Sequence, residues 1–209
     1  MQNIEVEIRV QISHSDKFTK WLNKNAEQNL MEFQEDTYYY PKHDTFIYTD
    51  NHGKKQADKW LRVRKSDNES SICYKLVHRD KKGNFIYADE YETEISDSNI
   101  LKGILNCLDY QILCTVSKNR KSWKYNNYLI FIDNVKSLGD FVEVELAEIT
   151  NINNIEQEKL NMMNFIKKIS NSDIIKIEGG YPWLLMEKEL LITENIFTKN
   201  KDCILDESY

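Results

Sequence analysis

The stretch Ile4-Glu5-Val6-Glu7-Ile8-Arg9-Val10-Gln11-Ile12 alternates apolar and polar residues without a break. That is the two-residue period of a strand with one face on a core and the other turned away from it. Ile4, Val6, Ile8 and Val10 fall on one face, and Glu5, Glu7 and Arg9 on the other. Two acids followed by a base on one strand face is, taken alone, the pattern of a solvated surface with cross-strand ion pairs. Its meaning depends on what the other strands carry.

Working outward, Ser15 is placed to cap a helix ending near Glu27, with Phe18, Trp21 and Leu22 on one face. Asp36 to Tyr40, Trp60 to Arg64, Ser71 to Val77 and Ile86 to Ile95 are short and rich in aromatic and β-branched residues, as strands are. His52-Gly53-Lys54-Lys55 and Asp80-Lys81-Lys82-Gly83-Asn84 supply turns between them. A second helix is expected over Asp97 to Leu108, with Cys107 in its core. Strands follow at Ile112 to Lys118, at Arg120 to Asp133 with a hairpin at Asn126-Asn127, and at Asp140 to Glu148. A third helix over Ile155 to Ser170, a short strand at Ile174 to Ile177, the turn Gly179-Gly180 and a helix from Pro182 to Leu191 complete the pattern. Strands in two blocks, each interrupted by a helix, predict an α+β domain built on one antiparallel sheet or barrel.

The polar faces of these strands are unusual in sum. Arg62 and Arg64 share a face, as do Glu90, Glu92 and Glu94, Lys118 and Arg120, and Glu143 and Glu145, while Lys75 and Asp133 each sit alone among apolar neighbours. If the sheet closes into a barrel, these faces line a hydrated interior of both charge signs. Carboxylates at i, i+2 suit Mg²⁺ or Mn²⁺, hard cations that take oxygen ligands. Arginine and lysine facing them suit phosphate oxygens.

The ordered series resembles the CYTH family, the triphosphate tunnel metalloenzymes, whose first strand reads E-x-E-x-K. Glu5-Val6-Glu7-Ile8-Arg9 occupies that signature. Glu35-Asp36-Thr37-Tyr38-Tyr39 followed by Pro41, then Leu61-Arg62-Val63-Arg64, Tyr74-Lys75 and Glu90-Tyr91-Glu92-Thr93-Glu94 look like segments of its class IV adenylyl cyclase branch, near the thiamine triphosphatases. Lys118-Asn119-Arg120 is similar to the family's basic strand, Asp133 with Leu138 to Glu145 to its acidic strand pair, and Gly180-Tyr181-Pro182-Trp183-Leu184-Leu185 to its closing segment. The resemblance implies a closed antiparallel β-barrel, the triphosphate tunnel, with helices packed outside. It implies Glu5, Glu7 and Glu143 as ligands of Mg²⁺ or Mn²⁺, supported by Glu145 and Asp133. It implies Arg9, Arg62, Arg64, Lys75, Lys118 and Arg120 as triphosphate-binding residues, with Arg9 and Lys75 nearest the chemistry. Arg9 departs from the family lysine: it keeps the charge and cannot lose its proton near neutral pH. The activity implied is conversion of ATP to cyclic AMP and pyrophosphate. Hydrolysis of inorganic tripolyphosphate, thiamine triphosphate or a nucleoside triphosphate is the alternative.

At 209 residues the chain suits one domain, expected over 1–192, with a polar tail over 193–209. Hydrophobic residues at 41% include no run long enough to span a bilayer, and no leader pattern is visible, so a cytoplasmic protein is expected. Cys73, Cys107, Cys114 and Cys203 lack metal-ligand spacing. The net charge of -6 argues against nucleic acid and hence an RNA 5′-triphosphatase, and the paired carboxylates argue against a non-catalytic polyphosphate-binding module. A homodimer is left open. Tyr38, Tyr39 and Tyr40 are read as packing, Trp60 and Trp123 as core or rim, Lys167-Lys168 as a solvated face, and Trp183 as part of a cover over the tunnel mouth.

Overall fold

A computed structural model of the chain describes residues 4–44, 46–50, 53, 55–80, 83, 85–148, 155–170, 174–177 and 179–189. The tail expected over 193–209, Cys203 and the turn residues His52, Lys54, Lys81, Lys82 and Asn84 lie outside them.

The opening stretch is extended but split. Strand β1 (Ile4–Glu5) and strand β2 (Glu7–Ile12) are separated at Val6, whose carbonyl accepts from the Leu146 amide at 3.1 Å. Helix α1 (Asp16–Asn25) follows, burying Phe18 and Leu22; the Ser15 hydroxyl donates to Asp140 at 2.9 Å instead of capping it. Strand β3 (Glu27–Pro41) runs far beyond the expected Asp36 to Tyr40. Strands β4 (Ile47–Thr49) and β5 (Lys55–Ala57), where only a turn was expected, form a separate two-stranded ribbon, and Gly53 between them adopts φ +79°, a left-handed conformation open to glycine. Strands β6 (Lys59–Ser66), β7 (Ser70–Arg79) and β8 (Phe85–Glu94) lead to helix α2 (Ser98–Cys107). The Asp97 carboxylate caps α2, accepting from the amides of Asn99 and Ile100.

Strand β9 (Tyr110–Tyr125) is one continuous strand where two segments were expected. The hairpin at Asn126, with φ 53°, connects it to β10 (Tyr128–Val135), and β11 (Gly139–Leu146) follows. Helix α3 (Ile155–Ser170), strand β12 (Ile174–Lys176) and helix α4 (Tyr181–Lys188) complete the order. No helix among the described residues is long and apolar enough to cross a membrane.

The architecture is α+β, with a ten-stranded sheet in the order β1-β8-β7-β6-β3-β9-β10-β11-β2-β12, and every pairing within it is antiparallel. The sheet curls strongly, but the expected closed barrel is not formed. Strand β8 meets the N-terminal strand only through β1, where Ile4 lies opposite Asp89 and Glu5 opposite Ala88. Closure would need β2 to continue that pairing. Instead β2 carries β11 on one edge and β12 on the other, so part of the edge β8 would use is taken.

The apolar core sits on the outer, convex side of the curl. Val6, Ile8, Val10, Ile130, Ile132, Val142 and Val144 pack there with Trp123 against Phe18 and Leu22 of α1 and Met162 and Ile166 of α3. A smaller cluster of Tyr39, Leu61 and Val63 is covered by Leu105 of α2. The expectation that Cys107 lies in a helix core is overturned: it is exposed, because α2 buries only Ser98 and Leu105 against the sheet. Lys167 and Lys168 are exposed, as expected. Because the apolar residues go outward to the helices, strand alternation turns the charged residues inward. The first half of β3 shows this most plainly: Glu32 and Gln34 are buried while Met31 and Phe33 are 67% and 42% exposed.

Candidate active site

Register brings the charged residues of the inner face together. On β9 and β10, Arg120 lies opposite Asp133; on β11 and β2, Glu143 lies opposite Arg9 and Glu145 opposite Glu7. Arg120 grips Asp133 at two points, Nε to Oδ1 at 2.7 Å and a terminal nitrogen to Oδ2 at 2.6 Å, and reaches Glu143 at 3.2 Å. Lys118 donates to Asp133 at 3.2 Å. From the opposite side Arg9 donates Nε to Glu143 at 2.8 Å, makes a further short contact with the same oxygen, and reaches Glu7 at 3.3 Å and the Gly179 carbonyl at 3.2 Å. Tyr181, at the start of α4, donates its hydroxyl to Asp133 at 2.8 Å, and its ring lies 4.5 Å from the Arg9 guanidinium. Asp133 is fully buried and Glu143 is 4% exposed.

Burial by itself would drive these acids toward neutrality, so their charge depends on the cations around them. Against burial, Arg9, Arg120 and Lys118 hold the Glu143 carboxyl well below the usual range, and Lys118 and Arg120 lower Asp133. Burial likewise works against the charge on Arg9, but Glu143 and Glu7 outweigh it, so Arg9 stays a fixed cation. Lys118 differs: burial, with the like charge of Arg120, brings its ammonium down to about 8 despite Asp133. Glu145 moves the other way. Burial and the carboxylates of Glu143, Glu7 and Glu90 push it up to about 7.

The opposite wall is built by β3, β6, β7 and β8. Arg64 holds Asp36 at two points, both 2.7 Å, and keeps it below the usual carboxylate range even though burial opposes this. Arg62 donates to Glu92 at 3.0 Å, Ser71 to the same oxygen at 2.6 Å, and Lys75 pairs with Glu90 at 2.8 Å. Tyr38 meets Trp60 edge-on and Tyr40 donates to Gln111, so these tyrosines are engaged in packing and hydrogen bonds. Trp60 is partly buried and Trp123 fully so. Trp183 packs beside Val135 and Phe141, with its indole donating to Glu187.

Every sequence-predicted cation, and Glu7, Glu143, Glu145 and Asp133, thus has a described place on the charged inner faces. The Glu5 side chain lies outside the described part of the molecule. Sequence reading did not single out Glu32, Gln34 and Asp36 as site residues, nor the Tyr181 hydroxyl. The available signal was β3's inverted alternation, polar Glu32, Gln34 and Asp36 on one face and apolar Met31 and Phe33 on the other.

Whether the residues fit a divalent cation is answered by Glu145. Its carboxyl is raised first by burial and then by the carboxylates of Glu143, Glu7 and Glu90 beside it, which are oxygen donors. Carboxylate oxygens are the donors a hard cation takes, and to hold one here Glu143 and Glu7 would exchange their contacts with Arg9 and Arg120 for it. Asp133 is held in the same way, with Arg120, Lys118 and Tyr181 on its oxygens. Among the described residues, the donor atoms that lie within 4.8 Å of one another are those of Cys73, Glu90 and Glu92. There burial holds the Cys73 thiol up to about 12, and Lys75 and Arg62 already pair with the two acids, which suits a hard cation less.

The model of the CYTH domain matches residues 3–177. A protein of Methanocaldococcus jannaschii named "Putative adenylate cyclase" is 30% identical over 176 residues, 83% of this chain and 94% of its own length. Among solved structures, a Pyrococcus horikoshii protein superposes with a TM-score of 0.68 at 22% identity, covering 88% of this chain and 99% of its own. A Vibrio parahaemolyticus structure described as a "putative adenylate cyclase" gives a TM-score of 0.66 at 15% identity, over 88% of this chain and 99% of its own. At those identities the two structures speak for the fold alone.

Proposed function

The chain belongs to the CYTH family, and from that membership and the charged interior we propose that the curled sheet binds a triphosphate and cleaves one of its phosphoanhydride bonds. The observation that carries the reading is the paired arrangement of the inner faces, where buried arginines and lysines are each held by a carboxylate. A ligand of several negative charges can take over those cations while the acids hold their positions.

Arg62, Arg64, Lys75, Lys118, Arg120 and Arg9 are the proposed triphosphate-binding residues, with arginines able to grip two oxygens and lysines acting as point charges. Asp133 is proposed to position Arg120, Lys118 and Tyr181. Mg²⁺ or Mn²⁺, held by Glu7, Glu143 and Glu145 with Glu5 of the same sequence signature, would supply charge neutralisation and polarisation of the phosphoryl group. Arg9 stabilises charge and moves no proton, since its neighbours only strengthen its protonation. Lys118, with its ammonium near 8, is the interior group fitted to take a proton from an attacking hydroxyl.

The product pattern we favour is the cyclase one: a ribose hydroxyl attacks the α-phosphorus, the bond to the β-phosphate oxygen breaks, and pyrophosphate leaves. The name of the M. jannaschii relative supports it. Incubation with ATP, GTP, thiamine triphosphate and tripolyphosphate, each with Mg²⁺ or Mn²⁺, followed by chromatography of the products, is the test. A cyclic nucleotide with pyrophosphate supports the cyclase; orthophosphate replaces it with the hydrolase; no turnover of any of them removes the enzyme. The double substitution Glu5→Gln and Glu7→Gln should abolish metal-dependent turnover with the fold retained, and unchanged activity would exclude these acids from the metal site.

A further inference from the structure

At the end of the curl where β6 turns into β7, a cavity of about 570 Å³ is lined by Gln34, Arg64, Glu69, Ser71, Glu92 and Glu94. Gln34 is only 4% exposed, and its side-chain oxygen has no hydrogen-bond partner among the described residues. The orientation of the amide is fixed: its nitrogen donates to Glu32, and a carboxylate only accepts, so the oxygen is the atom left over. A buried acceptor without a donor is unfavourable, and a ligand that supplies the donor removes the deficit.

The rest of the lining has the same bias. Ser71 spends its hydrogen on Glu92, which also accepts from Arg62, so the serine offers the cavity lone pairs only. Glu69 and Glu94 add carboxylates, and an adjoining hollow of about 350 Å³ shares both and adds Asp67. Arg64, the one cation lining the cavity among the described residues, is gripped by Asp36. Away from Arg64, which faces the triphosphate site proposed above, such a wall favours groups that bring hydrogens. It also adjoins the phosphate-binding residues proposed above: across β3 and β9, Gln34 lies opposite Lys118 and Glu32 opposite Arg120.

We infer that this cavity receives the organic moiety of the triphosphate substrate, and that Gln34 selects a heterocycle carrying an amino group over one that lacks it. The inference rests on the triphosphate reading, and its test separates the two. Calorimetric titration with Mg²⁺ present compares ATP, purine riboside 5′-triphosphate, which is the same purine without the amino group, and inorganic tripolyphosphate. The wild type should bind ATP about tenfold tighter than the purine riboside compound, the effect of one buried hydrogen bond. In Gln34→Met that ratio should fall to within about twofold, with tripolyphosphate affinity unchanged. Equal affinity of the wild type for the two nucleotides, or a ratio retained in the variant, overturns the inference while tripolyphosphate binding keeps the triphosphate reading. Failure of tripolyphosphate to bind overturns both. Gln34→Leu serves as a second variant with the same expected loss of the ratio, so the assignment to Gln34 does not depend on the folding of Gln34→Met.

Discussion

Two regions of the same inner surface handle buried polarity in opposite ways. Around Asp133 and Glu143 every charge is answered: Arg120 bridges both acids, Arg9 adds a second grip on Glu143, and Lys118 and Tyr181 complete Asp133. At the β6–β7 end a buried glutamine oxygen is left over beside carboxylates that few cations offset. A saturated cluster holds cations in place before a ligand arrives. A deficient one exerts selection, because its acceptors gain partners only when the right ligand binds.

The largest break in this comparison should come from Glu143→Ala. It leaves Arg9 and Arg120 buried without their shared anion, and loss of one partner from a buried pair costs about 3–5 kcal/mol, to be read from urea unfolding. A wild-type-like midpoint would mean that water already screens the cluster. Next is the pH response of Glu145. Its folded pKa of about 7 lies above the ordinary carboxyl value of 4.5, so the folded protein binds the extra proton. In metal-free protein this group's stabilising contribution is fully present below about 4.5 and is lost as pH rises through about 7. Thermal unfolding from pH 5 to 8 should show that loss, Glu145→Gln should remove it, and Mg²⁺ should bind more tightly as pH passes 7. A metal affinity independent of pH across that window would take Glu145 out of the ligand set.

Arg9→Lys should act more gently. The charge survives, the multiple contacts to Glu143, Glu7 and Gly179 do not, and kcat/KM should stay within about tenfold of wild type. A large gain in activity, with a new alkaline limb in the pH profile, would mean that the position carries proton transfer when the side chain permits it. The smallest effect belongs to the exterior. Lys59 and Asp44 pair at 3.1 Å but are close to half exposed, and Lys59→Ala should change stability by less than about 1 kcal/mol.

Much of the charged wall was legible because strand alternation is local. Glu7 with Arg9, Arg62 with Arg64, Lys118 with Arg120 and Glu143 with Glu145 had to share faces once the strands were recognised. The Glu32-Gln34-Asp36 wall was harder to see. Outward-facing Met31 and Phe33 disguise β3 as an irregular segment, and only the partners β6 and β9 show that its polar side is the buried one. The exposure of Cys107 was hidden for a related reason: the spacing of apolar residues on α2 does not reveal that the sheet covers only Leu105 and Ser98.

Most of the strands and helices, and which side chains share a face, follow from periods of two and 3.6 residues along the chain, whereas the β4–β5 ribbon and the full lengths of β3 and β9 do not. The fold as a whole turned the charged faces inward, set β12 on part of the edge of β2 that closure would need, and left the Gln34 oxygen without a partner among the described residues. Those outcomes depend on which strands become neighbours, and neighbours are chosen by contacts between residues far apart in the chain.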